Sequence, residues 1–161
     1  MQQNNIKKYK SIDGFFNKKI TVSRITNLRL IKKKQLTIFG KGNSISGIPF
    51  NEKSLLIDQS ANGKIILHKN KLEIEADGNI CINKIHNFLI KEKLYFPSFP
   101  SYSNVSLGAC VANCVHGNNP QIGTIKKYIS EIEIYNPNFG FKILSKRINK
   151  KLFQLTIGGM G

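Results

Sequence analysis

The chain has 161 residues, 40% of them hydrophobic and 21% charged, the balance of a globular protein with room for a core rather than of a disordered tail. No apolar run approaches the roughly 20 residues of a membrane span, and the start MQQNNIKKYK lacks the apolar segment of a signal peptide, so a cytoplasmic protein is expected. The formal charge is +16, yet only three of the 25 basic residues (Arg24, Arg29 and Arg147) are arginines; scattered lysines read as solvated faces rather than as base-reading machinery.

Residues 1–20 show no sustained period and read as an extended or loosely packed lead-in. Ser23 is a cap candidate for a helix over Arg24–Lys34, with Ile25, Leu28 and Ile31 on one side. Leu36–Phe39 has the length of a buried strand and runs straight into Gly40-Lys41-Gly42-Asn43-Ser44-Ile45-Ser46-Gly47. A strand that delivers a Gly-rich loop aims successive backbone N–H groups at one point, the geometry that phosphate oxygens need; a plain turn is the alternative. Leu55–Asp58 is a second short strand. Ile65–His68 and Lys71–Ala76, joined by Lys69-Asn70, form a hairpin with Leu72, Ile74 and Ala76 on the dry face and Lys71, Glu73 and Glu75 on the wet one. Asp77-Gly78 turns the chain into a helix whose inner face carries Ile82, Ile85, His86 and Leu89. His68 and His86 have no acidic or thiol companion nearby in sequence and read as structural. Tyr95–Asn104, with Pro97 and Pro100, marks a break.

The most informative stretch is Ser106–Gly123, SLGACVANCVHGNNPQIG. Gly108, Ala109, Ala112 and Gly117 keep its backbone bare, so a ligand or another backbone must approach closely. Cys110, Cys114 and His116 lack a fourth ligand and the spacing of a zinc knuckle, so the thiols read as packing and no metal is expected. With Cys81 the count is three, an odd set that fits a reducing compartment. Ile129–Tyr135 alternates as a half-buried strand, Asn136–Gly140 is a turn, Phe141–Leu144 returns, and Ile148, Leu152 and Leu155 give a short helix. The chain then reads TIGGMG, where a Gly-rich turn would ordinarily feed another element, so the C-terminal end of the fold is expected to be incomplete.

These features, in order, are GKGNSISG after a strand, LLIDQS, the EADGNI turn into a helix, SLGACVANCVHGNN followed by Gly123-Thr124, SEIEIY, and LFQLTIGGMG. Together they resemble the FAD-binding domain of the vanillyl-alcohol oxidase and p-cresol methylhydroxylase (PCMH-type) family over residues 23–161. The likeness is greatest to the sugar-oxidising branch that includes decaprenylphosphoryl-ribose oxidase. The resemblance implies an α+β fold of two α/β lobes with FAD between them, a first lobe over 21–99 and a second, truncated one over 100–161, with the substrate-binding cap domain absent. It implies that Gly40, Lys41, Gly42, Asn43, Ser44 and Ile45 hold the pyrophosphate. Ser101, Tyr102, Val105, Gly108, Ala109, Ala112, Asn113, Val115, His116 and Gly117 would line the rest of the cofactor, the last two nearest the ring system, although a structural role for His116 stays open.

Departures from the family pattern carry their own implications. No histidine stands in the first loop, where relatives that tether FAD covalently have one, so non-covalent FAD is expected. Asn118 replaces the lysine of a common His-Gly-Lys-Asn run, which removes a cation from the substrate side, and Gly108-Ala109 replaces a glycine pair. The expected function is FAD binding as the N-terminal part of a flavin-dependent oxidoreductase acting on a sugar-like alcohol. Catalytic residues remain unassigned, and the chain would be either a gene fragment or one completed by a separately encoded C-terminal half. A non-catalytic flavin- or nucleotide-binding module and a basic nucleic-acid-binding protein are the alternatives.

Overall fold

In a computed structural model, residues 6–10, 16–21, 36–43, 55–58 and 63–160 are described. The chain divides into two compact units, Met1–Asn62 with Tyr135–Gly140, and Gly63–Ile134 with Phe141–Gly161. The first holds a four-stranded sheet in the order β1-β2-β4-β3, formed by β1 (Ile6–Lys10), β2 (Phe16–Thr21), β3 (Leu36–Phe39) and β4 (Leu55–Asp58). β1 and β2 are antiparallel, whereas β2 and β3 flank β4 in parallel, with Ile20 and Ile38 both in register with Ile57. Ile57, on the inner strand, is fully buried. The lead-in therefore supplies two paired strands; their lysine-rich sequences, IKKYK and FNKKIT, conceal the apolar alternation that announces a strand. The helix expected over Arg24–Lys34 lies outside the described residues.

The second unit begins with β5 (Ile65–His68) and β6 (Glu73–Ala76), paired antiparallel. Their connection is longer than the two residues expected: Lys69–Lys71 form a single 3-10 turn, and Leu72 caps it in the left-handed region at φ 51°. Leu72 consequently leaves the dry face and is 76% exposed, while Ile74 and Ala76 stay packed on the core. His68 does gain an acidic neighbour across the hairpin, with Nε2 3.4 Å from a Glu75 carboxylate oxygen.

Helix α1 (Ile82–Lys91) buries Ile82, Ile85 and Leu89, the i, i+3, i+7 stripe that the sequence spells. It ends where Lys93 turns left-handed at φ 57° and the Leu94 N–H donates back to the Leu89 carbonyl, 2.9 Å. His86 packs edge-on against Phe99, ring centroids 5.2 Å apart, as a structural histidine would. Helix α2 (Leu107–Ala112), a 3-10 turn at Ile125–Tyr128, the paired strands β7 (Glu131–Asn136) and β8 (Gly140–Ser145), and α3 (Lys150–Thr156) follow. Ile80, Ile82, Ile85, Leu89, Cys110 and Ile125 form one core; Leu144, Phe153 and Ile157 form a second, with Val111 and Ile129 packed against both. α3 differs in phase from the expectation. It turns Phe153 and Ile157 inward and leaves Ile148 and Leu155 exposed, because the chain enters it through a left-handed Asn149 at φ 52° rather than as a continuous helix from Ile148.

Candidate functional site

Strand β3 opens at its C-terminal end into Gly40–Asn43, and its neighbour β4 runs parallel to it. Loops beyond the C-terminal ends of parallel strands are where open α/β sheets receive ligands. Gly42 has φ +76°, a conformation that a side chain disfavours, so the loop turns here on the one residue type that enters the region freely. Gly42 and Asn43 are exposed; Gly40 and Lys41 are half-buried. Ser44 and Ile45 lie outside the described residues.

The central stretch forms a short helix rather than a bare loop. Ser106 is the N-cap of α2, its hydroxyl accepting from the Ala109 N–H at 3.4 Å. The Leu107 and Gly108 N–H groups donate to the Ile80 and Gly78 carbonyls at 2.8 and 2.7 Å. The first turn of α2 is thus satisfied by the protein's own chain. A Cβ on Gly108 would stand 3.1 Å from the Gly78 oxygen, so the close neighbour of this glycine is backbone. Gly108 and Asn113 are nevertheless exposed and Ala109 and Ala112 half-buried, which leaves one flank of α2 small and accessible. The Asn113 side-chain amide donates back to the Ala109 carbonyl at 2.8 Å.

Beyond α2 the chain makes a hollow of about 480 Å³ lined by His116, Gly117, Asn118, Pro120, Gly123 and Thr124. His116 and Thr124 pair across it as an isolated antiparallel bridge. His116 Nδ1 lies 2.9 Å from the Gly117 carbonyl, which only accepts, so Nδ1 carries the proton in this contact. The wall is braced by Ser98, Phe99 and Ser101. A Cβ on Gly117 would meet the Phe99 oxygen at 2.9 Å, the Ser101 hydroxyl donates to Asn118 Oδ1 at 2.6 Å, and the Ser98 hydroxyl donates to the Gly123 carbonyl at 3.1 Å.

The structure thus brings Ser101, His116 and Gly117 together at the hollow and sets Gly108, Ala109, Ala112 and Asn113 along α2. Val105 and Val115 pack partly into the main core, and Tyr102 is 59% exposed. Asn118, which the sequence reading set on the substrate side, completes the hollow with Pro120, Gly123 and Thr124, none of them among the expected cofactor contacts. Thr156–Met160, where a further element was expected to follow, folds onto the end of α2, the Gly158 and Met160 N–H groups donating to the Val111 and Ala112 carbonyls at 3.0 Å each. The clustered glycines of TIGGMG were the available signal. Among the described residues no three His, Cys, Asp or Glu side chains gather as metal ligands. Cys110 is fully buried, and that burial pushes its thiol up to about 12.

None of the residues lining the hollow is acidic; His116, Asn118 and Thr124 are its polar side chains. Residues 19–138 match the model of the family described as FAD binding domain. The chain is also 23% identical over 147 residues to a D-arabinono-1,4-lactone oxidase of Candida glabrata, covering 87% of this chain and 28% of that protein. The chain spans little more than a quarter of the length of this relative. It belongs to the FAD-binding domain family, the PCMH-type family that its sequence resembles, and FAD is its cofactor.

Proposed function

We propose that the chain is the FAD-holding part of a flavin-dependent oxidoreductase that oxidises a sugar-like alcohol, with FAD bound non-covalently. FAD, when bound, supplies the acceptor for a hydride taken from a C–H beside a hydroxyl. The protein's part is to bind and orient. In this reading, backbone N–H groups of Gly40–Ile45 neutralise the pyrophosphate without a long side chain intervening. The flank of α2 gives the cofactor a shallow bed, and His116 presents Nε2 at the ring end. The observation that carries the reading is the hollow at His116–Thr124, with the imidazole fixed by the Gly117 carbonyl. The lactone oxidase name of the relative supports a sugar or sugar-lactone substrate. Asn118 in place of a cation favours one that carries no phosphate.

The test is to load the purified chain with FAD and follow flavin fluorescence, then precipitate with acid. The expected result is saturable binding with all flavin released to the supernatant. Flavin retained in the pellet would overturn the non-covalent assignment, and no uptake would overturn the function. Adding an aldonolactone or free sugar anaerobically tests turnover, seen as bleaching of the visible flavin band. Because the chain corresponds to 28% of its relative, a second reading is a module that binds flavin without turning over; binding without bleaching selects it.

A further inference from the structure

The corner between β8 and α3 takes no part in the FAD reading and has a character of its own. Lys146, Arg147, Lys150 and Lys151 place four cations within six residues; all four are exposed, and among the described residues none makes an ion pair. No acidic residue occurs anywhere from Ile134 to Gly161. Lys150 and Lys151 stand in the first turn of α3, where the field of the helix disfavours cations, and no acid in that turn offsets them. Two aliphatic side chains are interleaved with this charge. Ile148, inside the basic run, is 52% exposed, and Leu155, one turn beyond Lys151 on the same outer face of α3, is 62% exposed. The opposite face of α3 is satisfied by the buried Phe153 and Ile157. The corner thus combines exposed cations with exposed aliphatic side chains, while Phe153 and Ile157 anchor α3 in the core.

We propose that this corner is a docking surface for an anionic lipid bilayer, the cations lying among headgroup phosphates and Ile148 and Leu155 entering the acyl boundary. Three considerations select this occupant. A specific protein interface has a core depleted of lysine around apolar and aromatic anchors, whereas here two aliphatic side chains stand among four cations. Single-stranded nucleic acid calls for aromatic stacking platforms, and none stands in the run from Lys146 to Lys151. A bilayer needs neither, since juxtamembrane cations add roughly independently and a few aliphatic groups suffice for reversible interfacial binding. The chain's formal charge of +16 adds long-range attraction to any extended anionic surface. Among the described residues no helix is long and apolar enough to cross a membrane, so the association is peripheral.

Co-sedimentation of the full chain with vesicles of phosphatidylcholine alone, and of phosphatidylcholine mixed with phosphatidylglycerol, tests the proposal. Binding is expected only to the mixed vesicles and should be lost on raising salt. The variant K146Q/R147Q/K150Q/K151Q should lower the partition coefficient by about a hundredfold or more, and I148S/L155S by about tenfold. I148S/L155S should bind a single-stranded oligonucleotide as the parent does. All four charge sites and both aliphatics are on the surface, so unfolding temperature and FAD uptake should be unchanged in both variants, which separates this proposal from the flavin reading. Failure to bind mixed vesicles, equal binding to neutral ones, or unaltered vesicle binding by I148S/L155S would overturn it. The last outcome would mark the corner as a general polyanion patch.

Discussion

Two glycine-containing stretches look alike in the sequence, and the structure uses their glycines differently. In the loop after β3, Gly42 is exposed and needs its glycine for a left-handed turn at φ +76°. In the central stretch, Gly108 and Gly117 need theirs because other backbone lies against them, the Gly78 oxygen 3.1 Å and the Phe99 oxygen 2.9 Å from where a Cβ would stand. The first kind of glycine shapes a loop for what it receives, whereas the second holds a wall in place. Glycine content alone therefore marks a close approach without saying to what, and the two roles separate on substitution.

The largest effect is expected for Gly117→Ala, whose methyl would press on rigid main chain. Overpacking of this kind costs about 1–3 kcal/mol, and thermal unfolding without FAD should fall by roughly 2–4 °C for each kcal/mol at this chain length. Gly42→Ala should behave in the opposite way. Left-handed strain of about 1–2 kcal/mol falls on an exposed loop, so FAD affinity should drop by about tenfold in a fluorescence titration while the unfolding temperature moves less than in Gly117→Ala. Equal losses of stability in both variants would break the distinction. Ser106→Ala removes the cap of α2 and should cost about 1 kcal/mol, read by the same unfolding experiment, with a smaller loss of FAD affinity than Gly42→Ala.

Cys110 sharpens the comparison from inside the wall. Its thiol is raised from 9.0 to about 12 by burial, so between these values the unfolded chain has released a proton that the folded one keeps. The thiol's contribution is fully present below pH 9 and is lost as pH rises toward 12, with a slope of about 1.4 kcal/mol per pH unit at most. Cys110→Ala should flatten that alkaline limb in denaturant titrations. At neutral pH the same burial should make Cys110 react with a thiol reagent far more slowly than the partly exposed Cys114.

Much of the architecture was legible because it rests on local patterns. Leu36–Phe39, Leu55–Asp58, the alternation of Glu131–Tyr135 and the Ile82, Ile85, Leu89 stripe each carry their period in the chain itself. What escaped depends on contacts distant in sequence or on single dihedrals. The left-handed Leu72 lengthened a hairpin connection, the left-handed Asn149 rotated α3 by setting its starting phase, and α2 exists because Ser106 caps it and the Gly78 and Ile80 carbonyls receive its first N–H groups. At the candidate site, His116 and Gly117 were readable from their small-residue setting. Asn118 was readable only as a departure on the substrate side, and Pro120 and Thr124 not as lining, since the bracing by Phe99–Ser101 and the bridge to Thr124 fold that loop into a hollow.

The central claim is that this chain holds FAD through the loop after β3 and the wall ending at His116. Its most direct test is a fluorescence titration of FAD against the parent chain, Gly42→Ala and His116→Ala, each checked for folding by thermal unfolding. Saturable binding by the parent, weakened in both variants, which stay folded at the temperature of the titration, is the predicted result. Parent-like FAD affinity in both variants, or no FAD uptake by a folded parent chain, would contradict the account.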